Sequence, residues 1–162
     1  MTLLELCEPL FLYVCRLNRT ARRTGRADPL QAQSEIHGLL EDMRSQAASD
    51  ARLLSQYEKV EDPLVYFVDH MMINGDAGLT DWPLLALEKG PQGDLAGDQQ
   101  FFVLFHDTMN DLSEAATERL GVYYVCMGLG FRGMHRDEPQ TVKRFMMQCC
   151  SRMRGQIDAA GD

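Results

Sequence analysis

Leu120-Gly-Val-Tyr-Tyr-Val-Cys-Met-Gly-Leu-Gly-Phe-Arg-Gly-Met-His-Arg136 is the most constrained stretch of this 162-residue chain. Leu120, Tyr123, Tyr124, Met127 and Leu129 to Phe131 leave almost no polar face, so a helix here must be wrapped by neighbouring helices. Gly121 and Gly128 then read as points of close approach. Gly130 and Gly133 bracket Phe131-Arg132, where a chain leaving a helix often takes positive φ and a Cβ adds strain of about 1 kcal/mol. The stretch predicts a buried helix ending in a glycine corner.

Before it, Thr2-Leu-Leu-Glu5 has capping-box spacing, and Leu3, Cys7, Leu10, Phe11, Val14 and Leu17 recur at three and four, which predicts a first helix over about residues 3–22. Pro9 is expected to kink that helix or split off its first turn. Thr24-Gly25-Arg26-Ala27 ends it, and Asp28-Pro29 restarts a helix with Ile36, Leu39, Leu40 and Met43 as its buried stripe. The small polar run Ser45–Asp50 either continues the helix or breaks it before Leu53, Leu54 and Tyr57, and one long helix with a soft spot is the favoured reading. Asp62-Pro63 signals another restart, followed by a helix to Asn74 that is apolar on nearly every side and ends at Gly75.

Asp81-Trp82-Pro83 predicts a short helix ending by Gly90-Pro91, and a glycine-rich loop leads to Gly97. Asp98 is then expected to cap a helix carrying Phe101, Phe102, Leu104, Phe105, Met109 and Leu112, and Ser113 to cap the next. Asp137-Glu138-Pro139 opens the last helix, with Val142, Phe145, Met146, Cys149, Met153 and Ile157 on one face. No segment alternates with period two. The expected fold is all-α, with about seven helices in one domain over residues 1–162.

The totals restrict function. A length near 150 buries roughly 70% of the unfolded surface, enough for one substantial core. Sixteen basic against 24 acidic residues give a net charge of −8, which argues against nucleic-acid binding. Against that balance, Arg16, Arg19, Arg22, Arg23 and Arg26 crowd the end of the first helix, either as favourable charge near its C-terminus or as a face for anionic lipid or a partner. Cys7, Cys15, Cys126, Cys149 and Cys150 are odd in number and lack CxxC spacing, so a reducing cytoplasm is expected, with no disulfide framework, no metal and no cofactor. No apolar run reaches the ~18 residues needed to cross a bilayer.

Leu129-Gly130-Phe131-Arg132-Gly133-Met134-His135-Arg136 resembles the LGFxGxYR signature of the DotU/TssL family, also called IcmH, of type VI and type IVB secretion systems. Three further landmarks follow the family's order. Phe67-Val68-Asp69-His70-Met71-Met72-Ile73-Asn74 resembles its helix ending in an Asp-Glu pair, Trp82 with Leu84-Leu85 resembles its tryptophan-plus-leucine helix, and Gly97-Asp98-Gln99-Gln100-Phe101-Phe102 resembles its GGExFF helix start. His70 stands where the family usually has Glu, and His135 where it usually has Tyr.

The resemblance implies two adjoining three-helix groups and a scaffold at the inner face of the cytoplasmic membrane. It implies partnership with the large IcmF/TssM membrane protein and with baseplate components, self-association remaining open, and a C-terminal transmembrane anchor beyond Asp162 that was either removed or is lacking in this member. It also implies that the acidic pair lines a partner-binding cleft, which carries over to Asp69 more directly than to His70.

The candidate partner-binding residues are therefore Asp69, His70, Asn74 and Asp76, with Arg16, Arg19, Arg22 and Arg23 facing membrane or partner. Trp82, Gly130, Phe131 and Gly133 are candidates for architecture. Asp69 also has a purely structural reading, in which it accepts a hydrogen bond from backbone or from the Trp82 indole and holds the following loop. The rival from a different class is an all-helical metal-dependent phosphohydrolase, in which His70, His106-Asp107 and Asp137 follow an H…HD…D order and hold a divalent ion. It requires those four side chains to converge. The glycine-rich Gly128–Gly133 follows no strand and matches no phosphate-binding spacing.

Overall fold

The computed structural model describes residues 1–25, 27–75, 82 and 94–161, and side chains within 1–25, 27–75, 82 and 97–157. Six α-helices occur among them: α1 (Leu3–Thr24), α2 (Pro29–Ala47), α3 (Ala51–Asn74), α4 (Asp94–Asn110), α5 (Glu114–Leu129) and α6 (Pro139–Gly161), with one 3-10 turn at Gly133–His135. The fold is all-α. The short helix expected after Asp81 lies outside the described residues, Trp82 excepted.

Local chemistry sets most helix ends. The Glu5 N–H donates to Thr2 Oγ1 at 3.1 Å, and Gly25 takes φ +70° while its N–H closes on the Ala21 carbonyl. Asp28 accepts from the N–H groups of Leu30 and Gln31, and Ser113 from that of Ala116. Gly75 ends α3 for a different reason from Gly25, since its φ of −85° is open to any residue. An added Cβ there would sit 2.4 Å from the Met71 carbonyl oxygen.

Several expectations need correction. The chain does not run through Ser45–Asp50 as one helix, because Asp50, at φ −138°, leaves the helical region and caps α3 through the N–H groups of Arg52 and Leu53. Pro63 does not restart a helix but lies buried inside α3, where Val60, Leu64, Phe67 and Val68 are fully buried around it and offset the missing hydrogen bond. The first turn of α1 is not split off at Pro9, which lies inside the continuous helix Leu3–Thr24. Asp98 does not cap α4, which begins one turn earlier at Asp94. Leu112 and Ile157 were expected on buried faces but are 86% and 70% exposed, Leu112 because it falls beyond the last turn of α4.

The helices form two adjoining groups, α1–α3 packed mutually and α4–α6 gathered on α5, with α3 and α5 bridging them. One cluster of buried apolar side chains runs through both. In α5, Leu120, Val122, Tyr123, Cys126 and Met127 are all buried, as the opening stretch requires. Gly121 is a true close approach, its would-be Cβ 3.2 Å from Leu4 Cδ1, whereas Gly128 is exposed and meets only Met146 at ordinary distance.

The corner after α5 is built as expected. The Gly130 N–H bonds back to the Met127 carbonyl and that of Phe131 to the Cys126 carbonyl, the paired closure of a Schellman motif, with Gly130 at φ +130° and Gly133 at φ +54°. The Arg132 guanidinium donates to the Met127 and Phe131 carbonyls at 2.9 and 3.0 Å, satisfying oxygens the helix end leaves open. Phe131 is thereby driven into the core, its ring 4.0 Å from that of Phe101 and 5.7 Å from that of Phe102.

Candidate functional site

The last turns of α3 bring His70, Asn74 and Gly75 toward the C-terminal half of α1 on one side and the glycine corner on the other. Between them lies a cleft of about 460 Å³ lined by Cys15, Asn18, Arg19, Arg22, His70, Met71, Asn74, Gly75, Leu129 and Gly130. Two groups of residues that the sequence suggested separately, the arginine run and the end of the apolar helix, thus share one wall-to-wall site. Met71 and Leu129 give it an apolar floor, and Asn18, 8% exposed, adds a buried amide.

His70 is the hinge of this arrangement. It is buried, with its ring 4.8 Å from that of Phe131, and its Nε2 accepts the Arg132 backbone N–H at 3.4 Å. Its Nδ1 faces Asp98 Oδ1 at 3.7 Å and lies 3.5 Å from the Asn74 amide nitrogen. The Asp98 side chain therefore sits against His70 instead of capping a helix. The imidazole ties α3, α4 and the corner together while one edge stays on the cleft.

Asp69 points elsewhere. The Trp82 indole Nε1–H donates to its Oδ1 at 2.8 Å, and both residues are buried. An ionised carboxylate in an apolar helix is stabilised by such a donor. Asp69 does not line the cleft; its bond to the Trp82 indole is the one its structural reading names. Asp76 lies outside the described residues. Arg16 and Arg23 are exposed on α1 but do not line the cleft.

The residues of the hydrolase reading do not converge. His106 packs its ring 5.0 Å from Phe145 and lines a groove facing α6, while its neighbour Asp107 lines another groove with Glu58, Asp62 and Asp111. His70 is buried at the glycine corner, and Asp137 is exposed beyond the 3-10 turn. Among the described residues no group of three or more His, Cys, Asp or Glu side chains could hold a metal ion. The five cysteines are free.

The sequence reading overlooked Asn18, which continues the stripe Leu10, Val14 and was detectable as a polar residue at an apolar position. The same signal marks Gln56 and Arg119. The Arg119 guanidinium donates to Gln56 Oε1 at 2.7 Å, and the Gln56 amide donates to the Ala115 carbonyl and Glu118 Oε1 at 2.8 and 2.9 Å, a polar tie between α3 and α5. Arg152 similarly donates to the carbonyls of Met109, Asp111 and Ser113, joining α6 to the end of α4.

A family model described as type VI secretion system protein DotU matches residues 2–161 of the chain. No curated protein and no solved structure matches it.

Proposed function

The chain belongs to the DotU family of type VI secretion system proteins, and from that premise we propose that it works by binding, as a non-enzymatic scaffold whose partner site is the cleft between α1, the end of α3 and the glycine corner. The observation that carries this reading is the cleft's composition. His70, Asn74, Arg19 and Arg22, drawn from two distant segments, line one concavity with an apolar floor, while the histidines and aspartates a hydrolase would need lie apart. Concave sites with a few convergent polar groups are the usual form of a recognition surface.

In this reading residues 1–162 act as one domain, which the continuous core supports. The domain operates at the inner face of the cytoplasmic membrane, in contact with an IcmF/TssM-like protein and with baseplate components. Arg16 and Arg23 extend the α1 face toward membrane or partner, and Asp69 acts through Trp82. Among the described residues no helix is long and apolar enough to cross a membrane.

Co-purification tests the reading. The chain, tagged and expressed with its secretion-system neighbours, should retain the IcmF/TssM-like protein or a baseplate component, and Asn74→Trp, which fills the cleft from an exposed position, should lose it while keeping a native circular dichroism spectrum. Undiminished retention by that variant would remove the cleft from the account.

A further inference from the structure

We infer that the exposed stripe of α6 is a membrane-contact face, which lays Lys143, Arg144 and Arg154 on the phosphate headgroups of an anionic bilayer. The inference rests on the part of the functional reading that sets the domain against a membrane, and names the face that touches it. From Pro139 to Ile157, α6 carries four basic residues and no acidic one, in a chain whose 24 acids outnumber its 16 bases. Lys143, Met147, Arg154 and Ile157 follow one another at four, seven and three positions, which puts them on one stripe about 20 Å long with Arg144 at its edge. All five are exposed, Met147 by 67% and Ile157 by 70%. Among the described residues none of the three cations pairs with a carboxylate, and Arg144 stands 5.8 Å over the Phe145 ring, which leaves its charge in place. Arg152, the fourth basic residue, is no part of the face, since its guanidinium donates to the carbonyls of Met109, Asp111 and Ser113.

Cations with large apolar side chains between them are the make-up of an interfacial helix, the cations meeting phosphates while the apolar groups enter the headgroup boundary. The dipole of α6 does not account for Lys143 and Arg144, which lie toward its N-terminal end, where anions are favoured. The acids elsewhere in the chain do not cancel the face, because charges more than about 8 Å away are screened at physiological salt. An acidic protein segment is a poorer fit. It would seek the groove beside α6, where the Arg152 fork is already held by backbone carbonyls, while the stripe itself is a convex ridge whose apolar members project toward a flat layer. No residue of α6 lines the cleft, so a bilayer on this face leaves the cleft open to a partner.

The test is sedimentation of the full chain with phosphatidylglycerol vesicles at low salt, with phosphatidylcholine vesicles as the reference that carries no net charge. The wild type should pellet with the first and stay in solution with the second. Each basic residue near an anionic surface strengthens binding about fivefold, so Lys143→Gln/Arg144→Gln/Arg154→Gln should weaken it by about tenfold or more. Arg44→Gln/Arg52→Gln/Lys59→Gln, which removes the same charge from exposed positions on α2 and α3, should change it by less than about threefold, the size of a screened long-range effect. No pelleting of the wild type with phosphatidylglycerol, equal pelleting with the two lipids, or equal losses in the two triple variants overturns the inference. So does anisotropy showing that a fluorescein-labelled ten-residue glutamate peptide binds through the α6 cations when the vesicles do not bind. Failure here is separable from failure of the cleft. If the vesicles do not bind and Asn74→Trp still abolishes partner retention, the cleft stands and the lipid face falls; if the vesicles bind through α6 and Asn74→Trp retains its partner, the face stands and the cleft falls.

Discussion

Trp82 donates its indole N–H to Asp69 Oδ1 at 2.8 Å, both residues being buried, and Trp82 is the only tryptophan in the chain. Asp69→Ala leaves that donor without its acceptor, and a hydrogen bond to a charged group contributes about 1.5–3 kcal/mol. The variant should fold with its urea midpoint lowered accordingly and with tryptophan emission shifted to the red. Unchanged emission would show that the indole does not depend on Asp69.

Phe131→Ala should destabilise by about 3–5 kcal/mol, the range for removing a fully buried aromatic. The side chain is 0% exposed and touches the rings of Phe101, Phe102 and His70, so the loss leaves a cavity walled by rigid groups. Chemical denaturation measures it, and a loss below about 1 kcal/mol would mean the corner collapses to fill the space.

Gly133 and Gly25 make an internal comparison. Both have positive φ, but a Cβ at Gly133 would meet the Asp98 carbonyl oxygen at 2.7 Å and the Phe131 ring at 2.9 Å, whereas one at Gly25 meets nothing within 4 Å. Gly25→Ala should therefore cost about 1–2 kcal/mol, the left-handed penalty alone, and Gly133→Ala about 1–3 kcal/mol more from overpacking. Equal losses in thermal melts would contradict the close packing of the corner on α4.

Much of the chain announced itself through adjacent residues. Caps at Thr2, Asp28 and Ser113, and the positive φ of Gly130 and Gly133, depend on bonds made within a few positions, so a linear reading finds them. Pro63 misled because the packing of Val60, Leu64 and Phe67 on other helices overrides a local signal. Asp98 looked like a cap because its partner, His70, is twenty-eight positions earlier and reached only through the fold. The cleft was half legible. The arginines and the α3 residues could each be singled out, but nothing short of tertiary packing places Arg19 and Arg22 opposite His70 and Asn74. Asp69 carried both a binding and a structural reading, and its hydrogen bond to Trp82 gives the structural one a physical basis.

Stability should fall in strong alkali. Burial disfavours the thiolate, pushing Cys7 and Cys149 from the ordinary 9.0 up to about 12, and Tyr123 rises from 10.0 to about 12 chiefly for the same reason. The folded state holds these protons more tightly than the unfolded chain, so their contribution is complete below about pH 9 and is lost as pH rises toward 12. Thiol labelling at pH 8 gives a second readout: Cys15 and Cys150 should react first, with Cys7, Cys126 and Cys149 protected. Rapid labelling of all five in the native state would contradict the packing of α1 against α5.

Binding at the cleft is the claim on which the functional account stands, and site-specific photo-crosslinking in cells assembling the secretion system tests it most directly. A photoreactive residue in place of exposed Asn74, at the cleft, should capture another component of the apparatus, while the same residue in place of exposed Met147 on α6 should not. Capture from position 147 with none from position 74 would contradict the account.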